Sequence, residues 1–220
     1  MDCPVDKPEI LLSLPSEGWI RVEVAHWLTA LTHDDRFVLR IMFVRMVPYE
    51  NALNSLAAKF RASRCTHWLN IDADNPPTDN PLDYVSADLD YIGFPTPICK
   101  RAAGKQLLAW NVQRLGGALT SVRGSGIEEV EAVGTGCFLM ARRVAESIRV
   151  LFARDTDEDG VVTSGNDIVA CRRIRLAGFG VYAAWDNVCS HHRELDLSLL
   201  MPISAEHQNE RETVECGNGR

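Results

Sequence analysis

Several features are missing from the sequence, and each absence excludes a class of protein. No uninterrupted apolar run approaches the ~20 residues that a membrane-spanning helix needs. The first residues lack the basic segment and apolar run of a secretory signal peptide. The net charge of −7 argues against a general polyanion binder, and the seven cysteines form no CxxC pair, which indicates reduced thiols. We therefore expect a soluble, cytoplasmic protein.

The length and composition are those of one globular domain. A chain of 220 residues is long enough for one core and short for two. Its apolar share of 46% and charged share of 24% are ordinary for such proteins. The sequence contains no internal repeat and no linker between two domains. We expect a single domain over residues 1–203 and a polar C-terminal tail over residues 204–220.

The first seventy residues alternate between strand and helix patterns. Apolar runs predict strands over Glu9–Leu14, Val38–Val44 and Cys65–Ile71. Helical spacing of apolar residues predicts helices over Val22–Leu31 and Tyr49–Ser63. This β-α-β-α-β order predicts an α/β fold with a mainly parallel sheet flanked by helices.

The remainder of the chain continues the pattern with weaker periodicity. We expect strands over Val130–Met140 and Val181–Cys189, and helices over Ala141–Phe152 and Asp167–Leu176. The Gly-rich segment Ala102–Ile127 predicts either an antiparallel excursion or a flexible loop.

Two carboxylates follow the third predicted strand directly, in the run Asp72-Ala73-Asp74. Ligands of parallel α/β sheets bind at the carboxyl ends of the strands, which is where this run falls. Side chains at i and i+2 can both reach one divalent cation, directly or through water. The alternative is that Asp72 caps a turn while Asp74 is solvated.

Two further groups have side chains suited to chemistry. An imidazole of Cys189-Ser190-His191-His192 could complete a metal site that begins at Asp74, or it could lie at an ordinary surface turn. Asp167 opens a predicted helix after Gly165. It is either a helix N-terminal carboxylate or a general base that takes a proton from a hydroxyl group.

An acidic run offers a competing metal site. Asp155–Gly160 copies the start of an EF-hand calcium loop, and predicted helices flank it. The twelfth position, however, holds Asn166, where the loop needs a bidentate glutamate. A non-catalytic calcium-binding module therefore stays open as an alternative, beside a simple Gly turn.

Four segments, in the right order, resemble the family-2-like glycosyltransferases of the GT-A fold, including small phage-type enzymes. They are Trp68–Asn75, Glu131–Arg143, Gly165–Ile168 with Ala177–Tyr182, and Cys189–His191. The first resembles the family's strand with its DxD motif, and the second resembles the strand below the acceptor site with the helix after it. The third resembles the "ED" helix with its Gly stop and the next strand. The fourth resembles the segment with the metal-binding histidine. The resemblance spans roughly Glu9 to Arg193 and implies a metal-dependent transferase of nucleotide-sugars, with UDP as the expected nucleotide.

The resemblance assigns a role to each matching residue. Asp74 would bind Mn²⁺ or Mg²⁺, and Asp72 would contact the sugar or ribose of the donor. His191 would be the further metal ligand; His192 is the fallback, because a one-residue error in strand phase exchanges them. Asp167 would be the catalytic base.

The resemblance also implies a nucleotide pocket and a close-approach turn. The pocket would be lined by Pro15, Ser16, Glu17, Asn51 and Ala73, together with the two DxD aspartates. Gly134, Thr135 and Gly136 would let the sugar and acceptor approach the backbone closely. The chain departs from the family at Asn166, where an acidic residue is usual, and at Pro15–Trp19, which lacks the Thr-Tyr-Asn pattern.

The acceptor follows from the resemblance less directly. Small phage-type members glycosylate hydroxymethylated pyrimidines in DNA, which gives double-stranded modified DNA as the lead and the host cytoplasm as the place of action. Five basic residues around the Gly-rich segment could form a phosphate-contacting face: Lys100, Arg101, Lys105, Arg114 and Arg123. A glycan or small-molecule acceptor is the alternative. A nucleotidyltransferase is a further one, because such folds also place carboxylates at strand ends around a metal.

Overall fold

The computed structural model describes residues 7–45, 47–102 and 105–192, and only the backbone for residues 100–102 and 105–107. The predicted tail over residues 204–220 and the domain boundary at residue 203 lie outside the described residues. Within the described ranges, none of the helices has the length and apolarity that crossing a membrane requires.

The described elements follow the alternating order of an α/β protein. In chain order they are β1 (Glu9–Pro15), α1 (Val22–Leu31), β2 (Val38–Val44), α2 (Tyr49–Ala62), β3 (His67–Ile71), a 3-10 helix (Pro81–Ala87), β4 (Tyr91–Gly93), β5 (Pro97–Ala102), β6 (Lys105–Trp110), β7 (Val112–Gln113), β8 (Ile127–Glu129), β9 (Ala132–Val133), β10 (Cys137–Ala141), α3 (Arg142–Ser147), β11 (Asp155–Thr156), β12 (Val162–Ser164), α4 (Asn166–Leu176) and β13 (Val181–Ala184).

Seven of these strands form the central sheet, in the order β2-β1-β3-β10-β4-β13-β8. β1 pairs with β2 and with β3 in parallel, and β4 pairs with β13 in parallel. β10 lies antiparallel between β3 and β4, and β8 is an antiparallel edge strand on β13. Five of the seven strands therefore share one direction, which confirms the predicted mixed, mainly parallel sheet.

Helices cover both faces of this sheet, and β1 shows why its sequence is a continuous apolar run. Leu11 points into one cluster, with side chains of α2, α3 and α4. Its neighbours Ile10 and Leu12 point into the opposite cluster, with side chains of α1. A strand buried on both faces has no position left for an exposed polar side chain.

The larger cluster centres on Phe138 of β10. Its ring centroid lies 5.1 Å from that of Trp68, 5.0 Å from that of Tyr91 and 6.0 Å from that of Phe152. We expect Phe138→Ala to lower the free energy of unfolding by about 3–5 kcal/mol, because it leaves a cavity among three packed rings. Urea denaturation measures this loss, with Phe43→Ala as the control, because Phe43 is 62% exposed. Equal losses in the two variants would contradict this packing.

Three predicted elements have the wrong length. The predicted strand Val130–Met140 is divided into β9 and β10 by Gly134-Thr135-Gly136, and the last strand ends at Ala184. The predicted helix Ala141–Phe152 ends at Ser147. The backbone is already extended at Ile148, with φ −121° and ψ 104°. The Asn54 side chain then holds Phe152, accepting from its amide at 3.1 Å and donating to its carbonyl at 2.6 Å. Helical periodicity does not report such a contact.

The segment after β4 forms an antiparallel hairpin. β5 and β6 pair from Pro97↔Trp110 to Ala102↔Lys105. This confirms the antiparallel excursion among the two predictions for the Gly-rich segment, although the hairpin begins before it.

Candidate functional site

The candidate site lies along the edge where β1 and β3 end and β10 begins. Because β10 runs antiparallel to β3, the turn before it returns to the same edge as Asp72. The Asp72 amide donates to the Gly136 carbonyl at 2.7 Å, which joins the two segments. The sheet topology therefore brings the predicted DxD run and the predicted glycine turn together.

Asp72 is held by a tyrosine that the sequence analysis missed. The Tyr49 hydroxyl donates to Asp72 Oδ1 at 2.5 Å. Burial, the Asp72 charge and this hydrogen bond raise the pKa of Tyr49 well above its ordinary value, so the phenol remains protonated and acts as a donor. The Asp72 carbonyl also accepts from the Asn75 amide at 3.3 Å, so Asp72 closes a turn with its backbone while its carboxylate faces the site.

Asp74 and His191 face each other. Asp74 Oδ2 lies 3.8 Å from His191 Nε2, and their side chains are 17% and 13% exposed. His191 Nδ1 lies 2.8 Å from the Pro97 carbonyl oxygen. Because a carbonyl only accepts, Nδ1 carries a proton and donates it there, and Nε2 is the ring nitrogen on the Asp74 side. Metal-binding histidines in proteins are oriented by the same kind of second hydrogen bond.

His192 occupies a different position. Its Nδ1 lies 3.9 Å from Glu23 Oε1 of α1, and its amide donates to the Asp74 carbonyl at 3.0 Å. The two histidines therefore present their rings to different carboxylates. Of the two, His191 has the ring that lies against Asp74.

This pair fits a divalent cation that takes its other ligands from a bound molecule. Among the described residues, no group of three or more histidine, cysteine, aspartate or glutamate side chains is arranged to hold a metal ion. One carboxylate and one imidazole leave most coordination positions open. Mg²⁺ is bound in this way in proteins, through one or two carboxylates plus substrate phosphates and water.

A cleft of about 390 Å³ opens beside Asp72 and Asp74. Its lining includes six of the predicted pocket residues: Pro15, Ser16, Glu17, Asp72, Ala73 and Asp74. Tyr49 and Arg154 line it too, and neither was predicted. The Arg154 guanidinium pairs with Glu50 Oε2 at 3.2 Å, which holds it on the wall.

Asn51 does not line this cleft. It is exposed in the first turn of α2, whereas Tyr49 of the same turn faces the cleft. Side chains two positions apart on a helix point about 200° apart, so only one of the two can face the cleft. A contact between Asn51 and a nucleotide stays a prediction, and Tyr49 is the residue of this turn that lines the cleft.

The loop after β1 is shaped by Ser16. Its Oγ accepts from the amides of Gly18 and Trp19, at 3.1 and 3.0 Å. Gly18 adopts a φ of +118°, which side-chain-bearing residues rarely accept. This turn puts Trp19 on the lining of the cleft and of two adjoining cavities of about 700 and 350 Å³.

The glycine turn packs against protein side chains. A Cβ on Gly134 would lie 2.1 Å from Asn111 Nδ2, and a Cβ on Gly136 would lie 2.8 Å from Asn75 Nδ2. A side chain at either position would have to displace a neighbouring asparagine. The close approach of the sugar and the acceptor to this turn stays a prediction.

Asp167 is the second residue of α4, in the first turn. Its Oδ1 accepts from the Ile168 amide at 2.9 Å. The preceding Asn166 accepts from Thr135 Oγ1 at 3.1 Å, which ties the start of α4 to the turn beside Asp72. Burial, and after it nearby charges that include those of Asp167 and Asp72, raises the pKa of the Tyr91 hydroxyl well above its ordinary value.

The acidic run Asp155–Gly160 lies in a β-hairpin formed by β11 and β12. Asp157 Oδ1 accepts from the amides of Asp159 and Val161, at 3.1 and 2.8 Å, and Gly160 has a φ of +79°. α3 ends at Ser147, well before this loop. The prediction that helices flank it on both sides, as in an EF-hand, is therefore wrong.

The predicted basic face can be described only in part. Arg114 Nε pairs with Glu128 Oε1 at 2.9 Å, and Arg123 donates to the Trp185 carbonyl at 2.9 Å. Both guanidinium groups thus serve contacts within the protein. The side chains of Lys100, Arg101 and Lys105 lie outside the description.

Comparison with known proteins identifies the fold. No protein-family model matches the chain, and no curated protein matches it. Among solved structures it is similar to A197 from STIV, with 16% identity, a TM-score of 0.60 and coverage of 84% of this chain and 86% of that chain. It is also similar to GalNAc-T7 in its structure with UDP, GalNAc and Mn²⁺, with 10% identity, a TM-score of 0.50 and coverage of 86% of this chain and 44% of that one. The chain therefore has a GT-A-like α/β fold, as the family resemblance implies.

Proposed function

We propose that this protein is a glycosyltransferase that uses a divalent cation and a UDP-sugar. The observation that carries the proposal is the Asp74–His191 pair: its atoms lie 3.8 Å apart, and the Pro97 carbonyl fixes the imidazole so that Nε2 is on the Asp74 side. Asp74 follows the end of β3 and lines the cleft, and Asp72 lines the same cleft. UDP and Mn²⁺, the ligands in the GalNAc-T7 structure, support the choice of donor and metal.

The residues of the chain divide into a donor side and an acceptor side. Asp74 and His191 would hold the cation, and Pro15, Ser16 and Glu17 would contact the nucleotide across the cleft. A bound divalent cation supplies positive charge that offsets the charge developing on a diphosphate leaving group.

Asp167 supplies the proton chemistry in this proposal. Its carboxylate takes the proton of an acceptor hydroxyl, and the hydroxyl oxygen bonds to the anomeric carbon of the sugar. The bond from that carbon to the diphosphate oxygen breaks, and UDP leaves. The first turn of α4 lies close to the turn beside Asp72, because Asn166 accepts from Thr135 Oγ1 at 3.1 Å.

The acceptor we propose is a hydroxyl group, with hydroxymethylated pyrimidines in double-stranded DNA as the first candidate and a glycan or small molecule as the second. Support for DNA comes from the sequence resemblance to small phage-type enzymes. Arg114 and Arg123 add no support for DNA, because their guanidinium groups contact Glu128 and the Trp185 carbonyl.

A donor screen tests the proposal. Purified protein with Mn²⁺ is incubated with a panel of nucleotide-sugars, and release of nucleoside diphosphate is measured with and without hydroxymethylcytosine-containing DNA. We expect metal-dependent UDP release from a UDP-sugar. Stimulation by DNA would establish the acceptor, and release without stimulation would remove DNA and retain the transferase. No release from any donor, together with no metal-dependent nucleotide binding, would contradict the proposal.

The two histidines give a matched pair of variants. We expect His191→Ala to weaken Mn²⁺-dependent UDP binding about 10- to 100-fold, because it removes a ligand from the proposed site. His192→Ala should change this binding by less than about threefold, because its ring faces Glu23. Isothermal titration with UDP and Mn²⁺ measures both. The opposite ranking would move the metal ligand to His192.

A further inference from the structure

A chain of buried polar side chains runs beneath the candidate site. Trp68 Nε1 donates to Ser13 Oγ at 2.6 Å, and Ser13 Oγ donates to Asn70 Oδ1 at 2.7 Å. Asn70 Nδ2 then donates to the Thr135 carbonyl at 3.1 Å, and Thr135 Oγ1 donates to Asn166 Oδ1 at 3.1 Å. Trp68, Ser13 and Asn70 are fully buried, and Thr135 is 6% exposed. Unsatisfied polar groups at such positions are costly, whereas a satisfied network fixes one arrangement.

Asp72 is tied to this network beside Thr135, and Tyr49 holds its carboxylate. The Asp72 amide donates to the Gly136 carbonyl at 2.7 Å, and the Tyr49 hydroxyl donates to Asp72 Oδ1 at 2.5 Å. The network therefore has Asp72 at one end and Asn166, the neighbour of Asp167, at the other.

These two ends belong to elements that are separated in the sheet. Asp72 follows β3, whereas α4 packs on β9 and β13, and β13 lies three places from β3 in the strand order. Side chains of Asn70 and Thr135 bridge that separation at the level of the site. Their loss would leave the first turn of α4 held by contacts farther from Asp72.

We propose that Tyr49, Asn70, Thr135 and Asn166 are positioning residues that set the distance between Asp72 on the donor side and Asp167 on the acceptor side. This inference rests on the proposed function and adds to it a group of residues that touch neither substrate. It also explains the departure at position 166. The Asn166 amide oxygen accepts from Thr135 as a carboxylate oxygen would, without a second negative charge beside Asp167.

Variants at the two ends of the network should affect different kinetic constants. We expect Thr135→Val and Asn166→Leu to lower kcat about 10- to 100-fold with KM for the UDP-sugar within about threefold, because a shift of the base of the order of 1 Å has that effect. Asn166→Asp keeps an acceptor for Thr135 and should retain kcat within about threefold. Tyr49→Phe should mainly raise KM for the donor, because it removes the hydrogen bond that Tyr49 donates to the Asp72 carboxylate. Thr29→Val, at an exposed site on α1, is the control for the Thr→Val change.

Steady-state kinetics on these variants are combined with crystal structures of the wild type and Thr135→Val. An increased separation of the Asp72 and Asp167 carboxylates in Thr135→Val, with the kcat loss above, would support the inference. An unchanged separation would overturn it whatever the activity. Equal changes in kcat, KM and Tm across the variants would show a general loss of packing and would also overturn it. A wild type without metal-dependent UDP release would instead refute the proposed function, and the structures would still decide whether the network positions Asp167.

Discussion

Asp167→Asn is expected to lower turnover of the UDP-sugar about 10²- to 10⁴-fold, the range that a general base contributes. The substitution removes the basic carboxylate and keeps its shape. An asparagine Oδ1 can still accept from the Ile168 amide, the bond that Asp167 Oδ1 makes at 2.9 Å. The first turn of α4 should therefore keep its structure, and the Kd for UDP in the presence of Mn²⁺ should stay within about twofold.

The control for this variant is Asp157→Asn. Asp157 also accepts backbone amides with one carboxylate oxygen, but it does so in the β11–β12 hairpin. We expect it to retain turnover. Single-turnover kinetics with saturating donor measure both variants. Near-wild-type turnover in Asp167→Asn would refute the base assignment, and a large loss in Asp157→Asn would direct attention to the acidic hairpin.

Asp74→Ala is expected to weaken UDP binding in the presence of Mn²⁺ about 100-fold, equivalent to about 2.7 kcal/mol. The reason is that Asp74 would supply the carboxylate of the proposed metal site, where His191 is the other protein ligand. The variant should bind UDP in Mn²⁺ as weakly as the wild type does in EDTA, and EDTA should have no further effect on it.

Asp35→Ala serves as the control for a lost carboxylate, because Asp35 is exposed in the loop between α1 and β2. It should bind UDP as the wild type does. Isothermal titration measures all three proteins with and without EDTA. Metal-dependent UDP binding that survives in Asp74→Ala would show that the cation is held elsewhere.

Much of the fold is readable from the sequence because its strands are short apolar runs separated by helical patterns. The run Glu9–Leu14 predicts a buried strand, and the structure shows Leu11 in one apolar cluster and Ile10 and Leu12 in the other. The β-α-β order then places Asp72 and Asp74 at a strand end without any knowledge of tertiary contacts. The antiparallel insertion of β10 between β3 and β4 is not readable in the same way, because pairing partners distant in sequence leave no periodic signal.

The residues missed at the site have roles that depend on side-chain direction. Tyr49 and Asn51 lie in the same turn of α2, and only the helix phase at the cleft separates them. Arg154 lies in an irregular segment where periodicity carries no information. A tyrosine at the start of a helix that follows a parallel strand was the available signal for Tyr49, because that helix end meets the strand-end edge.

The histidines show what strand phase alone leaves open. Sequence places His191 and His192 at the end of one segment and cannot rank them. The structure separates their rings through two distant residues, because Pro97 accepts from His191 and Glu23 lies beside His192. The Gly134 and Gly136 positions give the reverse case. The glycines themselves are readable from the motif. The motif does not show that a side chain there would collide with Asn111 or Asn75.

The measurement that tests the central claim most directly is the position of Mn²⁺ in crystals grown with UDP and MnCl₂, read from the anomalous difference map. We expect one strong peak bonded to Asp74 Oδ2 and His191 Nε2, with UDP phosphate oxygens completing the coordination and the nucleoside in the cleft beside Ser16 and Tyr49. A peak at the Asp155–Gly160 hairpin, or UDP bound with no metal near Asp74, would contradict the account.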